Sequence, residues 1–135
     1  IQWCVDVGVY PSLFAFTPIY GTALEKLPQP SIKSYRRIQL AQYLIAHEKA
    51  RFERMKFDEN GGIVDFGVSM QQLERIIESG SPFYTSGCPH CNRPYYNERP
   101  GGPMYNYPRP LSSEETKEIK KQLDLGDSVW PLGVS

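Results

Sequence analysis

An unbroken apolar stretch near the start of the chain predicts the first structural element. Residues Val9–Ile19 read VYPSLFAFTPI, in which only Ser12 and Thr17 are clearly polar, and the stretch closes on Tyr20-Gly21-Thr22. A continuous apolar run bounded by turn residues is typical of a strand that is buried on both faces, as in a parallel sheet. The pattern therefore predicts a buried strand over Val9–Ile19.

A helical pattern follows a loop that contains Pro28 and Pro30. Ser31 is a suitable N-cap, and we predict a helix from there to about Arg54. Its apolar positions recur at roughly helical spacing with polar residues between them, as in an amphipathic helix. The apolar set is Ile32, Tyr35, Ile38, Tyr43, Leu44 and Ile45, and the polar set is Arg36, Arg37, Gln39 and Gln42. The order of strand, short loop and long helix is half of a β/α repeat.

A second strand–helix unit is predicted after a turn at Asn60-Gly61-Gly62. The short apolar run Ile63–Phe66 predicts a strand. Ser69 and Gln72 form a capping-box pattern that opens a second helix, and Gly80 suits its C-terminal cap. The apolar stripe of that helix consists of Met70, Leu73, Ile76 and Ile77.

The segment Ser81–Pro110 has a different composition. It holds seven prolines and five tyrosines without helical or strand periodicity, so we expect something other than a hydrophobic core to hold it in place. Ser112 and Glu115 then form another capping-box pattern, which opens a last helix that runs to about Leu125. The final residues Val129–Leu132 are expected to dock back on the body.

Length, charge and cysteine content narrow the class of protein. With 135 residues and a mass of 15.4 kDa, the chain is long enough for one domain. Its formal net charge of zero lacks the basic footprint of a nucleic-acid binder, and no apolar run approaches the roughly 20 residues of a membrane-spanning helix. We therefore expect no nucleic acid and no membrane among its partners. Three unevenly spaced cysteines are too few for a secreted disulfide framework, which favours a reducing, cytoplasmic compartment.

The opening of the chain suggests a piece of a larger protein, because Ile1 is followed almost directly by the predicted strand. Two β/α units cannot cover a parallel sheet on both faces. We therefore expect the neighbouring strands to come from a missing N-terminal part of the same protein or from another copy of the chain.

Cys88 and Cys91 form the clearest chemical feature of the sequence, a Cys-x-x-Cys within Gly87–Pro94. Two thiolates separated by two residues can grip one metal ion or one cluster iron, because a tight turn aims both sulfurs at one point. Thiol–disulfide exchange is a second interpretation, but it uses a helix N-terminus, and Pro89 and Pro94 oppose a helix here. Two free thiols in an ordered loop are the third.

A closed metal site needs four ligands, and the sequence shows only one cysteine pair. The candidates for completing the site are Cys4, His90, His47 and residues from another part of the protein, and we include Cys4 in the predicted site. Ligation by His90 is sterically awkward between two ligating neighbours. His47 lies on the predicted long helix and is expected to be a surface or partly buried histidine.

Two further groups of residues are candidates for cofactor binding. Arg93 and Arg99 can bind a carboxylate or phosphate in bidentate fashion, although packing of nearby tyrosines and an internal pair of arginine with Glu98 would explain the same segment. Thr17, Gly21 and Thr22 follow the predicted strand, and C-terminal strand ends line the active site in β/α barrels. An ordinary strand-to-helix turn is the alternative for these three residues.

Two strings of the sequence resemble one enzyme family. Gly8–Thr22, which ends in Thr-Pro-Ile-Tyr-Gly-Thr, resembles the strand near the end of a radical S-adenosylmethionine (radical SAM) barrel, where a comparable Pro-Ile-x-Gly-Thr turn closes the cavity. Thr85–Gly102 resembles the C-terminal end of radical SAM proteins of the biotin synthase-like and lipoyl synthase-like group. The order of predicted elements is also similar to the last third of those enzymes, so the resemblance spans roughly Val7–Leu123.

This resemblance implies a fold and a function. The fold is α/β: residues 1–80 form the last β/α units of a partial TIM-type barrel, 81–110 form an irregular Cys-x-x-Cys loop segment, and 111–135 form a final helix and tail. Thr17, Gly21 and Thr22 become part of the cavity wall. Sulfur-inserting members use an auxiliary iron–sulfur cluster, so the resemblance extends to sulfur insertion, with S-adenosylmethionine as cofactor and a small-molecule or protein-bound acyl substrate.

One departure from the family limits what the chain can do alone. Radical SAM enzymes hold a catalytic [4Fe–4S] cluster with a Cys-x3-Cys-x2-Cys motif on an early barrel loop, and this chain has no such motif. The chain alone would not cleave S-adenosylmethionine reductively. The alternatives are a small zinc-binding structural or interaction module, with zinc at Cys88 and Cys91 holding the tail in place, and an unmetallated α/β domain whose tail docks a partner chain.

Overall fold

The protein is described by a computed structural model over residues 1–97 and 101–126. The described residues form five α-helices, one two-stranded sheet and two short 3-10 helices, Phe52–Arg54 and Ser81–Phe83. The α-helices are α1 (Gln2–Asp6), α2 (Ile32–Ala46), α3 (Met70–Ser79), α4 (Arg93–Asn97) and α5 (Ser113–Leu123), and the strands are β1 (Lys56–Phe57) and β2 (Ile63–Asp65). Within these ranges, no helix combines the length and the apolar character that crossing a bilayer requires.

The central helix α2 begins where the sequence predicts and ends earlier. The hydroxyl of Ser31 accepts a hydrogen bond from the amide of Ser34 at 3.2 Å, as an N-cap should. The helix stops at Ala46 rather than near Arg54, because Glu48 adopts a left-handed φ of 53°. The amide of Lys49 then turns back to the carbonyl of Leu44 at 2.8 Å, so the predicted C-terminal end of this helix is wrong.

The region after α2 forms a hairpin. Strand β1 pairs antiparallel with β2, and the turn between them is closed by Asp58, whose carboxylate accepts from the amides of Asn60 and Gly62. Gly61 has a φ of 79°, which a glycine adopts without strain. The predicted strand near Ile63–Phe66 is therefore confirmed over Ile63–Asp65, in an antiparallel pair rather than a parallel sheet.

The predicted strand over Val9–Ile19 is wrong. These residues have no regular secondary structure, and they follow a short helix, α1, that the pattern did not indicate. A strand needs a neighbour to satisfy its backbone, and the only sheet among the described residues is β1–β2. Pro11 and Pro18 also lack the amide hydrogen that a sheet ladder uses. The architecture is a helical assembly with a small sheet and not a barrel, and a partial TIM-type barrel stays a prediction.

The core lies between α2, α3, α5 and the 3-10 turn at Ser81–Phe83. The predicted caps of the two later helices are present: Ser69 caps α3, Gly80 ends it with a φ of 72°, and Ser112 forms a complete capping box at α5. Met70, predicted in the apolar stripe of α3, is exposed. The side chains that are completely buried in this core are Leu40, Leu44, Ile77, Phe83, Ile119 and Leu123.

Candidate functional site

The Cys-x-x-Cys motif forms one tight turn. The amide of Cys91 donates to the carbonyl of Cys88 at 2.9 Å, and the two central residues are Pro89 and His90, the latter with a φ of 64°. Proline followed by a residue of positive φ is the pattern of a type II turn. Both cysteines are free thiols, with Cys88 exposed and Cys91 half-buried. The predicted tight turn is therefore present. The expectation that Pro89 and Pro94 oppose a helix here is wrong, because α4 begins at Arg93, just after the turn.

Gly87 lets the chain fold closely around Cys91. A Cβ atom at Gly87 would lie 2.5 Å from the Sγ of Cys91 and 2.8 Å from its Cβ, which no real side chain tolerates. Thr85, two residues earlier, is fixed because its amide donates to the carbonyl of Tyr107 at 2.8 Å. The turn is thus held at its N-terminal side by the body of the protein.

An open depression lies beside this turn. Its volume is about 300 Å³, and its lining includes Cys88 and His90 on one side and Tyr84, Tyr107 and Arg109 on the other. The guanidinium of Arg109 is already engaged, since it donates to both carboxylate oxygens of Glu115 at 2.8 and 2.9 Å. The depression therefore offers an accessible thiol and an imidazole with a cation at its edge.

The arginine pair also shifts the titration of its partner. The hydrogen bonds from Arg109, followed in size by the one from the amide of Ser112, lower the pKa of Glu115 from 4.5 to about 2. Both effects favour the charged carboxylate. Glu115 thus remains ionised at any pH near neutrality. Its ion pair with Arg109 ties that side chain to the start of α5.

The two thiols supply only part of a metal site. Among residues 1–97 and 101–126, no group of three His, Cys, Asp or Glu side chains is arranged to hold a metal ion. Cys4, on α1, is therefore not brought to the pair, and its assignment as a ligand stays a prediction. His47 lies at the end of α2, exposed as predicted, with its ring 4.3 Å from that of Tyr43. The described residues fit one half of a four-ligand thiolate site.

The predicted cavity-wall residues lie on an exposed turn. Gly21 has a φ of 81°, and its amide donates to the carboxylate of Glu25 at 2.7 Å. The hydroxyl of Thr22 donates to the carbonyl of Ile19 at 2.7 Å, and that of Thr17 accepts from Gln29 at 3.3 Å. Both hydroxyls thus make local hydrogen bonds, and a ligand role for the turn stays a prediction.

Only one of the two predicted anion-binding arginines lies in the described part of the chain. The guanidinium of Arg93 stacks over the ring of Phe14, with 5.4 Å to the ring centre. This cation–π contact joins the cysteine loop to the N-terminal segment. Arg99 and Glu98 lie outside the described residues, as does the predicted docking tail Val129–Leu132.

The segment after the cysteine loop is anchored by a buried arginine that the sequence pattern placed in the polar set of α2. The whole of that set is buried, so the prediction of a polar outer face at these positions is wrong. Arg36 on α2 is completely buried. Its guanidinium donates to the carbonyls of Met104 and Tyr105 and, at 2.9 Å, to the side chain of Gln122. The same guanidinium lies 5.6 Å from the centre of the Tyr107 ring. The proline-rich segment is therefore fixed by protein hydrogen bonds and also by the hydrophobic core, to which Phe83 and Tyr107 belong. The expectation that something other than a hydrophobic core holds it is wrong in that part.

Two buried amides extend this anchor. Gln39 donates to the carbonyl of Tyr105 at 2.8 Å and to the side chain of Asn106 at 3.0 Å. Asn106 in turn donates to the hydroxyl of Tyr35 at 3.1 Å. A signal for Arg36 was present in the sequence, since residues 36, 40 and 44 share one helix face and the latter two are buried leucines.

Arg37 joins α2 to the end of α5 and to the hairpin. It donates to the carbonyls of Leu123 at 2.9 Å, Asp124 at 2.6 Å and Ile63 at 2.9 Å. These are backbone acceptors that a helix end or a strand edge leaves without an intrinsic partner. The buried polar residues of α2 therefore organise the fold, and the cysteine turn is displayed at its edge.

Comparisons with protein-family models, with curated proteins and with solved structures give no significant match to this chain.

Proposed function

We propose that the chain forms the closing part of a radical SAM enzyme of the reducing cytoplasm, in which Cys88 and Cys91 are ligands of a metal or auxiliary iron–sulfur site. The observation that carries this proposal is the Cys88–Cys91 turn, which holds two free thiols three residues apart beside an open depression. The enzyme family comes from the resemblance of Gly8–Thr22 and Thr85–Gly102 to radical SAM proteins.

The residues of this chain would hold such a group through two sulfur atoms. Cys88 and Cys91 supply half of the four ligands of a zinc ion or of a cluster bound by four cysteines. The remaining ligands come, in this proposal, from another part of the same protein or from another copy of the chain. When bound, an auxiliary cluster supplies sulfur for insertion into the substrate, while Gly21 and its neighbours form part of the cavity wall.

The exposed apolar side chains of the N-terminal segment support a larger assembly. Val9, Phe14, Ile19 and Tyr20 are between 52% and 96% exposed, although their sequence reads like a buried strand. Exposed apolar groups of this density are typical of a surface that packs against another element. In the proposed function, the other strands and helices of the barrel are the partner that packs against this surface.

A zinc-binding module is the second candidate function. A tight turn with two thiols suits zinc as well as iron. The buried arginine Arg36 weighs against the version in which zinc holds the whole tail, because residues 104 and 105 are fixed without a metal. Zinc would then order only the loop between Thr85 and α4.

Metal analysis after anaerobic purification tests both candidates. The full-length protein that contains this chain should hold iron with the visible absorption of an iron–sulfur cluster, and Cys88→Ser and Cys91→Ser should each reduce that absorption. Cys4→Ser separates the third cysteine from the pair. Zinc in place of iron would favour the structural module. If Cys88→Ser retains all the metal of the wild type, the assignment of the cysteine turn as a metal site is wrong.

A further inference from the structure

A second cavity shares Tyr84 and Thr85 with the lining of the cysteine depression. It has a volume of about 270 Å³ and lies between the N-terminal segment at Tyr10 and Leu13, helix α2, and the segment from Ser81 to Ser86. This size is slightly below the roughly 300–1,000 Å³ of pockets for drug-sized ligands. The cavity therefore suits a molecule of one or two fused rings.

Gln42 gives the cavity an unused hydrogen-bond acceptor. The side chain is only 7% exposed, and its amide nitrogen donates to the carbonyl of Pro11 at 2.9 Å. This bond fixes which side of the carboxamide is nitrogen. Over residues 1–97 and 101–126, no donor reaches its carbonyl oxygen Oε1. A ligand N–H that reaches this atom would supply the donor that the protein does not.

The other two amides of the cavity are already used. Gln39 accepts from Arg36 at 2.8 Å and donates to Tyr105 and Asn106, and Asn106 is paired with Tyr35. They belong to the anchor of the proline-rich segment. Gln42 is thus the amide whose acceptor a ligand can take.

The walls of the cavity carry no full charge and combine tyrosines with polar side chains. Tyr10, Tyr43 and Tyr84 line it together with the polar residues of the segment from Ser81 to Ser86, and His47 packs on Tyr43 with an angle of 44° between the two rings. Among the described residues that line the cavity there is no Asp, Glu, Lys or Arg. Flat aromatic walls favour a planar ligand, and the lack of full charges favours a neutral one.

We propose that this cavity binds a neutral planar heterocycle of one or two rings, of the nucleobase class, that donates an N–H to the Oε1 of Gln42. The tyrosine side chains contact the faces of the ring, and the Oε1 of Gln42 accepts a hydrogen bond from the N–H at the edge of the ring. The site is independent of the proposed function, because it uses neither cysteine.

Uracil and adenine are the probes, and 1,3-dimethyluracil is the matched probe that keeps the ring and lacks both N–H donors. Titration of the isotopically labelled chain with uracil should shift the side-chain amide signal of Gln42 and the backbone signals around Tyr43 and Tyr84. The methylated probe should bind about tenfold more weakly, the effect of one buried hydrogen bond. This comparison uses the wild-type chain alone.

Gln42→Met keeps the length of the side chain and removes the acceptor, so it should also weaken uracil binding about tenfold. Gln71→Met, on the exposed face of α3, is the matched control and should bind like the wild type. Cys88→Ser should leave uracil binding unchanged, which separates this site from the cysteine turn.

Three results would overturn the proposal. They are no signal shift with uracil or adenine up to their solubility limits, equal binding of uracil and 1,3-dimethyluracil, and unchanged binding by a folded Gln42→Met chain. The first of these would mean that the cavity holds only water.

Discussion

Two irregular segments of this protein differ from what their composition predicts: the more apolar one is exposed, and the less apolar one is partly buried. Residues 7–29 are rich in apolar side chains, and yet Tyr20 is 96% exposed and Phe14 52% exposed. Residues 103–111 are rich in proline and less apolar, and yet Asn106 and Tyr107 are only 8% and 6% exposed. A ranking by hydrophobicity alone would have placed the first segment inside and the second outside.

The difference lies in the hydrogen bonds that each segment receives. The proline-rich segment presents backbone carbonyls at residues 104 and 105 to Arg36, and its Asn106 enters the amide network of α2. The N-terminal segment receives one bond from α2, from Gln42 to the carbonyl of Pro11. An irregular segment can be buried only when its backbone groups are satisfied, so the donors on α2 decide which segment packs.

The largest expected effect comes from removing the anchor. Arg36→Met should lower the free energy of unfolding by roughly 3–5 kcal/mol, because two partly buried carbonyls and the buried side chain of Gln39 lose a donor, at roughly 1–3 kcal/mol each. Urea denaturation followed by circular dichroism measures this loss. Arg75→Met, on the exposed face of α3, is the matched control and should change stability by less than about 0.5 kcal/mol. A loss below about 1 kcal/mol for Arg36→Met would contradict the conclusion that hydrogen bonds from α2 keep the proline-rich segment buried.

Removing the amide of Asn106 should loosen only the second segment. Asn106→Ala should cost about 1–3 kcal/mol, because Tyr35 and Gln39 lose a buried partner. Hydrogen exchange of the Tyr107 amide, which bonds to the carbonyl of Phe83 at 2.8 Å, should accelerate in the variant. Asn92→Ala, at an exposed position of the cysteine loop, should leave this exchange rate unchanged.

The end of the same segment should respond to acid. The pKa of Glu115 is lowered from 4.5 to about 2 in the folded protein, chiefly by Arg109. Its contribution to stability is therefore full above the unfolded value of 4.5 and is lost as the pH falls towards 2. At neutral pH, Glu115→Gln should cost roughly 1 kcal/mol, the size of a helix cap with an exposed ion pair.

The difference in stability between wild type and Glu115→Gln, measured by thermal unfolding at successive pH values, isolates this group. That difference should shrink between pH 4.5 and 2, since the wild-type carboxylate becomes protonated there. A difference that stays constant over this interval would contradict the role of the Arg109–Glu115 pair.

The smallest effect is expected at the exposed apolar segment. Tyr20→Ser should change the free energy of unfolding by less than about 0.5 kcal/mol, because the side chain is 96% exposed. Tyr107→Ser is the matched variant in the buried segment and should be strongly destabilising. A large loss for Tyr20→Ser would mean that the N-terminal segment is buried in solution, for example between copies of the chain, and sedimentation would show that association.

Local signals in the sequence predicted where the three longer helices begin. Ser31, Ser69 and Ser112 all cap helices as predicted, because a cap depends on a hydroxyl and on an amide three residues away. The turn at Cys88–Cys91 was also predictable, since Pro89 presets its backbone. The end of α2 was not, because the left-handed residue is Glu48 rather than a glycine.

The candidate site was predicted only in part. Spacing identified the two thiols and their turn, but it could not place Cys4, which lies far from them along the chain. The roles of Thr17 and Gly21 came from their place after a predicted strand and from a family resemblance, and they stay predictions. The cavity at Gln42 was not foreseen, because nothing in the sequence shows that a glutamine on α2 is buried with its acceptor unused.

The sequence by itself determined the local structure of this protein: the caps, the glycine-containing hairpin turn and the Cys-x-x-Cys turn. These depend on interactions within about four residues. Only the tertiary structure decided which irregular segment is buried. The burial of residues 103–111 depends on hydrogen bonds from Arg36 and Gln39 to the carbonyls of Met104 and Tyr105, which lie more than 60 residues away in the sequence. The pattern of hydrophobic positions along the chain does not predict hydrogen bonds over such a distance.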